Sequence, residues 1–234
     1  MEFIETIGKL VVRYHSFFEE GIVNTLIIAA FTVFFGTIFG TVFGVLMSSM
    51  RMGHILPLRW FAVAYIEFIR GTPLMVQLMF IFYGLPMVGF TLPDISWIPN
   101  FSRFSAGIIA MSINSCAYVA EIIRSGVQAV DVGQMEAARS VGFSHGQAMR
   151  LVVLPQAIKN ILPALGNEFV TVIKESSIVS VIGLADLMFR TNDVIALTYK
   201  SLACLAIAAL CYFAMTFTGG RLIALAERKM NHGK

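Results

Sequence analysis

From Gly21 to Met50 thirty residues pass without one charged side chain, and from Gly71 to Pro93 another twenty-three do the same. A tilted α-helix needs about twenty apolar residues to cross the hydrocarbon core of a bilayer, so these runs impose two spans by themselves. Together they are rich in Phe, Ile, Val and Gly. Neither shows the segments of alternating polarity that an outer-membrane barrel requires, which leaves helices as the spanning element. The rest of the chain agrees: hydrophobic residues make up 57% and charged residues 13%, where a soluble domain carries roughly 25% charge. The fold class is all-α and polytopic.

Segments near 22–49, 60–84, 104–125, 160–182 and 196–218 read as five transmembrane helices within a membrane domain of residues 20–218. Residues 1–19 place Phe3, Ile7, Leu10 and Tyr14 at helical spacing among charges, which fits an external interfacial helix or a flexible tail. Glu2 and Glu5 precede Lys9 and no small-residue cleavage site follows, so no cleaved signal peptide is expected. Residues 219–234 read as a tail.

Orientation follows from the basic side chains, because Lys and Arg resist translocation while acidic residues count for little. With the C-terminus in the cytoplasm, the inside holds ten: Arg51, Arg59, Arg124, Arg139, Arg150, Lys159, Arg221, Arg228, Lys229 and Lys234. The outside holds five, Lys9, Arg13, Arg103, Arg190 and Lys200. The N-terminus is therefore expected outside. The net charge of +3 is the residue of this asymmetry and implies no nucleic acid. Cys116, Cys204 and Cys211 lie in apolar helices and read as small buried hydrophobes without disulfides.

Between the third and fourth spans, residues 126–154 form a polar loop of helical composition on the cytoplasmic side. Gln134-Met-Glu-Ala-Ala-Arg-Ser-Val predicts one short helix, Gly142 a break, and Ser144 the N-cap of a second helix running through Leu151. A glycine there permits positive φ or close approach of another surface. Two readings remain open on these residues alone: a knob that docks in a groove, or a hairpin resting on the membrane.

Glu136-Ala137-Ala138, Gly142 and Val152-x-Leu154-Pro155 resemble the EAA signature of the membrane subunits of ATP-binding cassette importers, with Val152 where Ile is more usual. Phe68-Ile-Arg-Gly-Thr-Pro-Leu-Met-Val-Gln77, Asn114-Ser-Cys-Ala-Tyr118-Val-Ala-Glu121-Ile-Ile-Arg124, Leu154-Pro-Gln-Ala157 and Lys174-Glu-Ser-Ser-Ile-Val-Ser-Val-Ile-Gly183 resemble the branch of that family that carries polar amino acids. The likeness runs in order over about residues 20–218. It implies a type I importer in the bacterial inner membrane. Such an importer has two ATP-binding subunits, a second permease subunit identical or homologous to this one, and an extracellular or periplasmic solute-binding protein. ATP and Mg would then sit on the partner ATPase, with no cofactor on this chain. The sequence agrees, since Gly8-Lys9 is followed by Leu10 and no phosphate-binding loop is present. The resemblance further implies that Gln134, Glu136, Ala137, Ala138, Arg139, Gly142 and Ser144 carry the mechanical contact with the ATPase.

Charge inside a bilayer costs about 2.5–3.5 kcal/mol per residue on insertion scales, so each instance wants a partner or a purpose. Glu67 and Arg70, and Glu121 and Arg124, stand three apart and read as ion pairs at span ends. Glu168 has no basic residue three or four positions away and is expected to face the bundle interior. There it would meet the cationic end of an amino acid, with Asn167, Asn114, Tyr118 and Gln77 supplying hydrogen bonds or merely joining helices. Lys174 stands as a gate residue or as half of a pair with Glu175. Pro155 and Pro163 predict breaks at the start of the fourth span.

Two other functional classes fit the sequence less well. An ATP-independent secondary carrier or channel would be expected to show inverted repeats, and five spans do not halve. An intramembrane enzyme finds no support in His15, His54, His145 and His232, which lack metal-ligand spacing.

Overall fold

A computed structural model describes residues 2–52, 56–92, 94–95 and 100–231. His54, His232 and Lys234, named above, lie outside them. The described residues contain no strand. The elements are α1 (Glu2–Met52), α2 (Leu56–Gly71), α3 (Leu74–Met79), a π-helical turn (Phe80–Gly84), α4 (Leu85–Met87), α5 (Phe101–Gln128), α6 (Val132–Ser140), α7 (His145–Ala148), a second π turn (Met149–Val153), α8 (Leu154–Glu175), a 3₁₀ segment (Ser176–Ile182), α9 (Leu187–Thr198) and α10 (Ser201–Asn231). Among the described residues three helices are long and apolar enough to cross a membrane, within Glu2–Phe43, Phe101–Gln128 and Ser201–Leu225, and a fourth is reached if α2 and α3–α4 form one broken span. The expected fourth span, 160–182, is not among these, because α8 carries Lys159, Glu168, Lys174 and Glu175.

Several boundaries differ from the sequence expectation. The N-terminal segment is helical, and a kink at Tyr14 (φ −118°, ψ 21°) divides it from the helix that forms the first span. The expected helix over 60–84 breaks at Thr72–Pro73, where Pro73 is extended (φ −62°, ψ 134°). Proline drives its predecessor out of the α region, so α2 ends at Gly71 and α3 starts afresh. A twelve-residue helix, α9, precedes the last span; Tyr199 closes it in the left-handed region (φ 56°). The supposed tail is helical to Asn231.

Prolines are absorbed in another way. Pro86 and Pro155 are each the second residue of an α segment that follows a π turn. Proline has no amide for the carbonyl four residues back and collides with it, and a widened turn relieves that collision. Pro163 is carried inside α8.

The contacts fall into two compact units that share the long helices. One comprises Met1–Phe34, Thr72–Ile113 and Phe169–Gly219. Its main core packs Ile28, Leu78, Met111, Ile173 and Val179, and a second cluster buries Leu10 and Phe18 of α1 against Leu187, Val194, Cys204 and Ile207. That second cluster explains why Ile7, Leu10 and Tyr14 share a face. The other unit comprises Phe35–Gly71, Asn114–Glu168 and Gly220–Lys234. In it Val130, Val153, Ala157 and Ile161 form the core under the polar loop. Glycines set the helix spacing here: a Cβ at Gly126 would lie 2.3 Å from Ile161 Cγ1, and one at Gly166 would lie 2.4 Å from Ile223 Cγ2. Small residues at contacts are how membrane helices approach closely. Gly126→Ala is accordingly expected to destabilise the protein by about 1–3 kcal/mol, read as a Tm lower by about 2–12 °C in detergent.

Candidate functional site

The polar loop is built like the helix hairpin of a water-soluble protein, with each end capped. Asp131 caps α6 by accepting from the Gly133 amide at 2.7 Å. At the other end the Phe143 amide donates to the Ala138 carbonyl and the Gly142 amide to that of Arg139, with Gly142 at φ +94°. This is a Schellman closure, which needs a residue tolerant of the left-handed region at that place. Ser144 then begins α7 in a reciprocal capping box, its amide donating to Gln147 Oε1 and its hydroxyl accepting from the Gln147 amide. The expected Ser144 cap and Gly142 break are both present. The second helix differs from expectation in passing through a π turn into α8.

Gln134, Glu136, Ala137, Arg139, Gly142 and Ser144 are exposed. Ala138 is not: at 6% exposure it faces inward, so its role in the motif is packing. Gln134 also accepts from Gln156 Nε2 at 3.2 Å, which ties α6 to α8. Sequence reasoning missed the apolar part of this surface. Val132 and Val141 are 71% and 75% exposed, and Phe143 lies beside them in sequence, also exposed. The signal was available, since these are apolar residues bordering a polar helix and flanking a glycine. An added Cβ at Gly142 or Gly146 would meet nothing within 4 Å, so the tip is open to approach. Exposed apolar groups around a rigid turn are suited to burial in a partner's groove.

The polar residues of the spans fall into both units. Ser115 of α5 donates to Glu168 Oε1 of α8 at 3.0 Å, and Glu168 is half-buried. Ser115 stands beside Asn114 on the same helix, and both are buried. Arg70 lies over the Tyr118 ring at 5.3 Å and reaches Glu121 at 3.9 Å, whereas the sequence paired it with Glu67. Glu121 accepts from Arg124 through both carboxylate oxygens, as expected from their spacing. Arg70, Tyr118, Glu121, Ser125 and Asn160 line an open cavity of about 320 Å³. Asn167 is exposed. In the other unit Lys174 is exposed, and Gln77 is buried and donates to the Thr72 carbonyl and hydroxyl at 3.1 and 2.9 Å. Those bonds serve the helix break. Among the described residues no group of His, Cys, Asp and Glu is arranged to hold a metal.

Residues 40–232 match the family described as the inner membrane component of binding-protein-dependent transport systems. The chain belongs to this family. It is a multi-pass inner-membrane permease subunit of an ATP-binding cassette importer, and hydrolyses no ATP itself. Its partners are ATPase subunits, a second permease and a solute-binding protein. The reading as an ATP-independent carrier is thereby set aside. Over 215 residues it is 41% identical to the arginine transport system permease protein ArtQ of Bacillus subtilis (strain 168), covering 92% of each chain. It is 40% identical to the putative glutamine transport system permease protein GlnP of Rickettsia conorii (strain ATCC VR-613 / Malish 7), covering 92% of this chain and 93% of that one. A crystal structure of an amino acid ABC transporter with histidines is similar at 47% identity and a TM-score of 0.83, over 94% of this chain and 96% of that chain. The inward-facing methionine transporter MetNI shares the fold at 21% identity and a TM-score of 0.64, over 94% of this permease and 98% of that chain.

In a permease, the capping box is what stiffens the loop's second helix. Ser144→Ala is expected to cost about 1 kcal/mol locally. Hydrogen exchange checks this, with the Gln147 amide exchanging about fivefold faster than in the native protein.

Proposed function

We propose that this permease moves a polar or charged amino acid, cationic or zwitterionic, inward through five spans, with its N-terminus outside and the 126–154 loop in the cytoplasm. The observation that carries the coupling part is the capped loop whose open tip presents Val141, Gly142 and Phe143. Glu136, Ala137, Arg139 and Ser144 surround that tip and would enter a cleft of the ATPase, with Gln134 and Ala138 bracing them from behind. Closure of the ATPase dimer on ATP would tilt the loop and open the conduit to the outside. The excess of basic residues assigned to the loop side supports this orientation.

For the substrate, the support is the similarity to permeases of arginine and glutamine transport systems, together with Glu168. Glu168 places a half-buried carboxylate, hydrogen-bonded by the Ser115 hydroxyl, among apolar helices. Asn114 and Tyr118 would add hydrogen bonds, with Asn167, Gln77 and Lys174 as further pathway residues. The experiment is to purify the chain with its ATPase and binding protein and measure which amino acids stimulate ATP hydrolysis. Arginine or glutamine should do so, and stimulation by neither removes the substrate assignment.

Two substitutions separate the parts. Gly142→Asp forces a side chain onto positive φ, at a cost of about 1–3 kcal/mol, and puts charge on the tip. Hydrolysis should persist in the assembled complex while uptake falls at least about tenfold. Glu168→Gln keeps a hydrogen-bonding shape but removes the charge, and should raise the apparent KM for a cationic amino acid about tenfold with the ATPase still bound.

A further inference from the structure

We propose that Asp186 is a positioning residue of the transport cycle, a proton-operated latch that holds α9 between α1 and α10. Its surroundings are specific. The turn after Gly183 is tied to α1 by Asn24 Nδ2, which donates to the Ala185 carbonyl at 2.7 Å, and by the Thr25 hydroxyl, which accepts from the Leu187 amide at 3.1 Å. It is tied to α10 by the Tyr212 hydroxyl, which donates to Asp186 Oδ2 at 3.1 Å. The second carboxylate oxygen accepts from the Phe189 amide at 2.8 Å and so caps α9. Asp186 and Thr25 are fully buried. The packing is close enough that a Cβ on Gly21 would stand 2.7 Å from Leu187 Cα.

A cap alone does not call for an acid. Asn or Ser would serve an N-cap equally well and would not place an ionisable group out of water. Burial pushes the Asp186 carboxyl up from 3.8 to about 6, against the Phe189 and Met188 amides and the Tyr212 hydroxyl, which pull it down. The sign follows. The packed state holds its proton more firmly than an exposed carboxylate does, so packing is strongest at acid pH and weakens as pH rises through about 6, where a buried charge appears. The charged groups on the neighbouring elements are committed elsewhere. Arg190 of α9 pairs with Glu20 of α1 and with Asp193, and Arg103 of α5 bonds Asn100 and the Gly183 carbonyl. Tyr212 is the group on α10 that meets the carboxylate.

This inference rests on the orientation proposed above, which sets Asp186 on the side that meets the binding protein. The whole importer is reconstituted into liposomes with ATP enclosed and binding protein outside, and uptake of labelled arginine or glutamine is followed from pH 5 to 8. The two sides are buffered separately. Native protein should gain about threefold in rate as the outer pH rises through 6, because the latch must release in each cycle. Asp186→Asn keeps the cap and should transport at one rate throughout, and Tyr212→Phe should move the midpoint to higher pH. A native profile that is flat, or an Asp186→Asn profile that tracks the native one, overturns the latch. Should Asp186→Asn lose uptake altogether, an unshifted Tyr212→Phe midpoint overturns it. A native gain that follows the pH of the ATP side instead of the outer side, and is lost in Asp186→Asn, supports the latch and overturns the orientation instead.

Discussion

Hydrocarbon offers a polypeptide no hydrogen-bond partner, and at several places where the described chain leaves the α-helix within its apolar stretches a remedy is built in. At Thr72–Pro73 the carbonyl freed by the break is taken by the Gln77 side chain, five residues on. At Pro86 and Pro155 a π turn keeps the backbone bonded while making room for the ring. In the 3₁₀ segment Ser176 and Ser180 turn their hydroxyls back onto the carbonyls of Ile173 and Ser177, and Gly183 then ends the tightened turn at φ +77°. Polar side chains in these stretches are thus spent first on the backbone.

That ordering decides between neighbours that look alike in sequence. Gln77 and Glu168 are both polar residues in apolar company, yet the first is fastened to a break and the second is held by Ser115 on another helix. Arg70 and Arg124 both approach Glu121, but Arg124 takes both carboxylate oxygens and Arg70 is left at 3.9 Å, resting on Tyr118. A guanidinium stacked on a ring and only loosely paired keeps more of its charge for other partners than one locked in a fork.

Class, family and the loop's construction were legible because each depends on local patterns. A charge-free run of thirty residues has one stable form in a bilayer, and Gly142 followed by Ser144 marks a helix stop and start whatever surrounds it. The breaks were harder to read. Gly71-Thr72-Pro73 carries the signal of an extended turn, but the apolarity of residues 71–93 outweighs it when a span is sought by composition. Pro155 misleads in the opposite sense, since the π turn that accommodates it leaves no trace in residue type. Ser115 and Asp186 were invisible for a third reason: their partners lie 53 and 26 residues away, and no periodicity announces such a pairing.

The same continuity that obscured Pro155 gives the loop its mechanical reach. From His145 through the π turn into α8 the backbone never leaves the helical region, with Ala148, Met149 and Leu154 all right-handed at the junctions. His145 and Glu168 therefore sit on one rod, separated by about 35 Å at 1.5 Å per residue. Gln134 is fastened to this rod through Gln156, and Asn160 reaches back to the Gly126 carbonyl of α5. Under the coupling role proposed for the loop, a displacement imposed at the Ser144 cap would travel towards Glu168 along a continuous helix that carries Pro163 within it. A helix restarting at Leu154 behind a flexible joint would have dissipated it. Accommodating the proline inside the helix, instead of ending the helix at it, is what joins the capped loop to the part of α8 that carries Glu168.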